Sequence, residues 1–163
     1  MKASILVIFM ILASAGLYIS APRLFMRDID KGLSLGVEQK NIDSVNYYLL
    51  KGANPNTTYF KLQRYLNSMP VLSLAVKNED LDAIKSLLKH GARVDELSWQ
   101  KESALMFAVE KKNIIIISLL LQYKANPRIV DSHGKTALDR LSLDKESTNI
   151  RIKEMIQSSI TSR

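Results

Sequence analysis

The chain has no cysteine in its 163 residues. That excludes disulfides, thiol catalysis and cysteine-ligated zinc, and with them a lipid-modified cysteine at the end of a leader. The absence suits an oxidising compartment, although cytosolic proteins often share it. Histidine is nearly as scarce, with His90 and His133 alone. Neither stands with a serine and a carboxylate in the pattern of a recognisable triad. No metal-ligand spacing and no glycine-rich phosphate loop occur. Asp28 with Asp30 and Asp80 with Asp82 are close carboxylate pairs, the second placed where a helix begins and acids favour its dipole. Catalysis finds no support in these residues, and neither cofactor nor metal is expected. There is also no block of five or six like charges. With no reading motif beside it, a net charge of +7 from 23 basic and 16 acidic residues does not indicate nucleic acid. It favours, mildly, a protein partner with an acidic surface.

What is present begins with an apolar leader. After Met1-Lys2, residues 3–22 carry no charge, and Ile5 to Leu12 is a run of large apolar side chains. A basic start, an apolar centre and the small residues Ala13-Ser14-Ala15 form the layout of a secretory signal. The uncharged stretch is also about 20 residues, long enough to span a bilayer as an uncleaved anchor. Residues 1–21 are therefore expected to be a signal peptide or a membrane anchor, and 22–30 a linker. Both alternatives place the rest outside the cytoplasm, in the periplasm or at the inner membrane.

The remainder repeats itself. Ile42, Val45, Tyr48 and Leu49 precede Gly52-Ala53-Asn54. Leu81, Ile84, Leu87 and Leu88 precede Gly91-Ala92-Arg93. Ile114, Ile117, Leu120 and Leu121 precede Lys124-Ala125-Asn126. The second and third sets lie 33 residues apart, and the first and second 39. The difference is an insertion at Thr57 to Ser68. Apolar residues at i, i+3, i+6 and i+7 put one stripe of a helix inward. A fixed period of this size marks a solenoid whose units each bury a face against a neighbour. The expected fold is all-α, about four helix–turn–helix units with short hairpin-like tips, over 31–56, 57–95, 96–128 and 129–160 of a 31–163 repeat domain. Small residues at Gly36, Ala75 and Ala108 would let neighbouring first helices approach closely.

These residues resemble the ankyrin repeat. Ser103-Ala104-Leu105 and Thr136-Ala137-Leu138 stand where the family has Thr-Pro-Leu-His. Lys89-His90-Gly91-Ala92-Arg93-Val94-Asp95 and Lys51-Gly52-Ala53-Asn54-Pro55-Asn56 match its helix end and turn, and Val130 to Leu138 its hairpin. The resemblance covers about Lys31 to Ile160. There are departures. Ser73, Met106 and Asp139 replace the histidine, and Lys101 and Lys124 occupy glycine positions, which leaves those turns strained or differently shaped. Arg140 replaces the apolar Phe107 position, which suits a terminal unit facing water on one side.

The resemblance implies a non-catalytic binding module that grips a protein partner with hairpin tips and a concave first-helix surface. By position that surface includes Gln39, Lys77, Asn78, Glu110 and Lys111. The candidate partner-binding residues are Tyr59, Phe60, Lys61 and Arg64 in the insertion, Trp99 and Lys101 at the next tip, Lys111, and His133. Aromatic and basic residues of this kind have the composition of an interface hot spot, although Phe60 and the leucines beside it could instead fold back onto the stack, and Trp99 could lie flat on its neighbour. An exported immunity protein that occludes the active site of a toxic envelope-targeted effector is an alternative to a general scaffold. The chain is expected to be a monomer when unbound.

Overall fold

The repeated apolar stripes become four stacked units in the computed structural model, which describes residues 28–59, 68–141 and 147–161. The expected leader, most of the expected linker, and the tip residues Phe60, Lys61 and Arg64 lie outside these. The first unit pairs α1 (Asp28–Glu38) with α2 (Ile42–Leu50). The second pairs α3 (Val71–Lys77) with α4 (Leu81–Lys89), and the third α5 (Ala104–Glu110) with α6 (Ile114–Gln122). In the fourth unit a single 3-10 turn, Leu138–Arg140, replaces the first helix, and α7 (Ser147–Thr161) closes the stack. The first helices α1, α3 and α5 pack side by side, each backed by its own second helix. Two short strands, β1 (Thr58–Tyr59) and β2 (Met69–Pro70), pair antiparallel at the base of the insertion, with Tyr59 opposite Met69.

The same local devices recur at the same repeat positions. Asn41, Asp80 and Asn113 each cap a second helix, accepting from the backbone N–H of Ser44, Ala83 and Ile116 at 2.9, 3.1 and 3.2 Å. The residue before each cap, Lys40, Glu79 or Lys112, turns the chain at φ 53°, 56° and 53°. Second helices end on Gly52, Gly91 and Lys124 at φ 83°, 89° and 65°. Hairpins turn on Lys101 and Gly134 at 59° and 72°. Lys101 and Lys124 thus keep the shape a glycine would take, and the turns are not reshaped; the strain is carried by the lysine backbone.

A side-chain ladder runs along the stack, its first rung inside the first unit and the next two between units. The N–H groups of Asn54, Arg93 and Asn126 donate to Asp30, Asn56 and Asp95 of the chain before them, at 2.7, 2.6 and 2.8 Å. Each bond satisfies a main-chain donor that a turn would otherwise leave unpaired. The core is one continuous cluster running from Leu33 and Val37 through Ile84, Leu105 and Ile117 to Ile152 and Ile156.

Three expectations need correction. Residues 28–30 belong to α1 rather than to a linker, because buried Asp30 is needed as the first rung of the ladder. A side chain on Gly36 would meet Ser44 and Val45 of α2, both at 3.2 Å, so its smallness serves packing within its unit rather than between first helices. Arg140 does not face water, since its side chain is only 17% exposed and bonded to carboxylates from two units.

Candidate binding groove

Stacking three units in register leaves a groove between the row of first helices and the hairpin tips. Its volume is about 530 Å³, and its lining includes Glu38, Tyr59, Met69, Leu74, Lys77, Asn78, Trp99, Gln100, Glu102 and Lys111. Each unit supplies part of it: the end of α1, the β1–β2 base and α3, and the third hairpin with the end of α5.

Trp99 stands at the third tip. Its N–H donates to the Ser68 carbonyl at 3.1 Å, which ties this hairpin to the one before. Its side chain nevertheless remains 51% exposed. The backbone is thus seated on the neighbouring hairpin, while the side chain is half exposed and borders the groove. Tyr59 is half-buried and donates its hydroxyl to the Glu38 carboxylate. Burial first, then that hydrogen bond and the charge of Glu38, push the Tyr59 phenol up to about 12.

Two lysines face this groove. Lys77 places its Nζ 5.8 Å from the centroid of the Phe107 ring, within the range of a cation–π contact. Lys111 follows α5 and is exposed. Among the described residues neither lysine forms an ion pair.

The acids nearby are engaged. Glu102 accepts from the Ser98 hydroxyl at 3.2 Å and from Arg140 Nη2 at 3.0 Å. Arg140 also meets Asp131 at 2.7 Å and Glu110 at 3.3 Å. Asp131 in turn accepts from the backbone N–H groups of His133 and Lys135, at 2.7 and 3.0 Å. The Lys135 backbone N–H is the largest influence on it, and with His133 and Arg140 it holds the Asp131 carboxyl down at about 2 against the opposing effect of burial. This guanidinium is the side chain the sequence misread. An arginine at a repeat position otherwise filled by Phe107 carried the signal, because a charge in such a place requires carboxylates around it.

Of the predicted site residues, the groove brings together Tyr59, Trp99 and Lys111. Lys101 and His133 are exposed but do not line it. The His133 ring lies 3.4 Å from the Ser132 hydroxyl and 4.0 Å from Asp131. Asp131 is already committed to the hairpin and Arg140, so these three do not form a catalytic relay. Among the described residues there is no cluster of side chains suited to a metal ion, and no helix long and apolar enough to cross a membrane. Lys77 and Asn78, placed by position on the concave face, line the groove as expected. Glu38, Met69, Gln100 and Glu102 were not foreseen.

A family model for ankyrin repeats, in three copies, matches residues 33–131 and 72–150, well over half of the chain. The chain belongs to the ankyrin-repeat family. It is similar to an ankyrin repeat-containing protein of Treponema pallidum, 37% identical over 99 residues, 60% of this chain and 31% of the relative. It is also similar to ankyrin repeat and SOCS box protein 11 of Mus musculus, 37% identical over 76 residues, 47% of this chain and 23% of the relative. An ankyrin repeat protein of Acanthamoeba polyphaga mimivirus is 28% identical over 112 residues, 68% of this chain and 57% of the relative. The chain thus spans less than two thirds of the length of each of these. Ankyrin repeats are protein–protein interaction modules, and the family is generally non-catalytic.

Proposed function

We propose that this ankyrin-repeat chain is an exported binding module that holds a protein partner with an acidic face in the groove bordered by Tyr59, Trp99, Lys77 and Lys111. One observation carries this reading. The only tryptophan of the chain is half exposed at a hairpin tip, beside lysines that no acid among the described residues pairs with. A large rigid ring left open next to a concave surface is what an interface anchor requires. Export is supported by the layout of residues 1–21, with a cleaved signal or a retained anchor both consistent with it.

Affinity capture from the envelope of the producing cell tests this reading, using the full chain tagged at its C-terminus. Trp99→Ala runs in parallel. Retention of one stoichiometric protein by the native chain and its loss with Trp99→Ala is the expected result. Equal retention by both chains would move binding away from the groove. A captured partner with toxic hydrolase activity would make the module an immunity protein. The mass of the purified N-terminus distinguishes a cleaved leader from an anchor.

A further inference from the structure

We infer that the groove receives one short, extended acidic segment of the partner, its carboxylates meeting Lys77 and Lys111 on the helix side and the apolar side chain of the residue between them turned to the opposite, hairpin side against Trp99 and Met69. This rests on the reading of the groove as the partner site and names what enters it.

The charge pattern selects acid over base. The groove carboxylates already have donors, Glu38 from the Tyr59 hydroxyl and Glu102 from Ser98 and Arg140. Glu110, beside Lys111, is also bonded by Arg140. The two lysines have no carboxylate partner among the described residues. An incoming carboxylate therefore meets two ammonium groups with no hydrogen-bond partner among the described residues, Lys77 resting only near the Phe107 ring, whereas an incoming ammonium meets acids that already accept hydrogen bonds, Glu38 keeping its charge at the end of α1. Lys77 and Lys111 come from α3 and α5, which pack side by side. Packed helices lie about 8–10 Å apart. Side chains two residues apart on an extended chain share a face at roughly 6.5–7 Å, a separation that two flexible lysine stems close without strain.

Size and polarity argue for a segment rather than a flat surface. A volume of about 530 Å³ is that of a pocket that takes in a few side chains. A folded face would instead cover roughly 800 Å² of each partner. Met69 and the Trp99 ring supply the apolar part of the lining, with the nearly buried Leu74 beside them. The lysines then fix register and hasten encounter, while the ring supplies the contact area.

The test uses the full chain and fluorescein-labelled peptides in which one phenylalanine is flanked by two aspartates, two asparagines or two lysines, read by anisotropy. The aspartate peptide is expected to bind at least about tenfold more tightly than the other two, and to weaken as salt rises. Lys77→Glu with Lys111→Glu should weaken it by about tenfold or more, whereas Lys135→Glu with Lys153→Glu, an equal charge change at exposed positions outside the groove, should not. Absence of saturable aspartate-peptide binding, equal binding of the asparagine peptide, or indifference to the paired lysine reversal overturns the inference. Capture of the native partner separates the two claims. If Trp99→Ala abolishes capture while the aspartate peptide fails, the groove stands and the acidic segment falls; if capture is also unaffected, both fall.

Discussion

Arg140 of the last unit reaches back to Glu102 of the unit before it, Nη2 to Oε1 at 3.0 Å, with the carboxylate and guanidinium side chains only 14% and 17% exposed. The same nitrogen holds Asp131 at 2.7 Å. One side chain therefore fastens the fourth unit, whose first helix is reduced to a 3-10 turn, onto the third. Arg140→Met roughly keeps the volume and leaves two largely buried carboxylates without their cation. The expected loss is about 3 kcal/mol, as for a buried pair broken on one side, measured by urea denaturation. In a solenoid that loss is local. Amide exchange should quicken first in α7, while α2 and α4 keep their protection. Uniform quickening along the stack would contradict a clamp confined to the last interface.

Asp131 adds a pH dependence to the same joint. Its carboxyl, held at about 2 in the folded chain against an ordinary 3.8, binds protons less readily folded than unfolded. Stability from this group is fully present above about pH 4 and drains away as pH falls toward 2. Thermal melts between pH 5 and pH 2 should show the native chain losing stability more steeply than Asp131→Asn, whose amide oxygen can still accept from the hairpin N–H groups but does not titrate. Parallel acid limbs would remove Asp131 from the account.

The left-handed turn positions give a third test. Lys124 at φ 65° stands where the preceding units have Gly52 and Gly91. An L residue pays a steric penalty in this conformation that glycine avoids. Lys124→Gly is expected to stabilise the chain by about 0.5–1 kcal/mol after the added freedom of the unfolded glycine is discounted. Gly91→Ala should cost about 1–2 kcal/mol, and the cost would be conformational, because a Cβ there meets nothing within 4 Å. Thermal denaturation of both variants decides the signs.

The fold was legible because a solenoid writes its packing into the chain at a fixed interval. The caps Asn41, Asp80 and Asn113 and the core stripes recur with it, and Ile152 and Ile156 of the last helix are fully buried. The groove was legible where the repeat frame placed a residue, as with Lys77 and Asn78, or where a residue type spoke for itself, as Trp99 did. Glu102 and Arg140 are 38 residues apart, and no periodic rule announces that they meet. Gln100 and Met69 became groove residues through the way one hairpin seats on the next. That seating is set by the bond from Trp99 N–H to Ser68, which composition does not reveal.

Two isoleucines of α6, two positions apart, offer the cleanest check on which face of that helix is core. Ile117 is 0% exposed and Ile115 is 65% exposed, although both lie in the same apolar run. Ile117→Ala removes buried carbon and leaves a cavity that neighbours on two sides fill only in part, so a loss of about 2–5 kcal/mol is expected. Ile115→Ala removes carbon already in water and should fall within about 0.5 kcal/mol of the native chain. Urea denaturation of the two variants under one buffer compares them directly. A large loss for Ile115→Ala with little for Ile117→Ala would mean that α6 is rotated relative to this packing, and the adjoining third-unit wall of the groove with it.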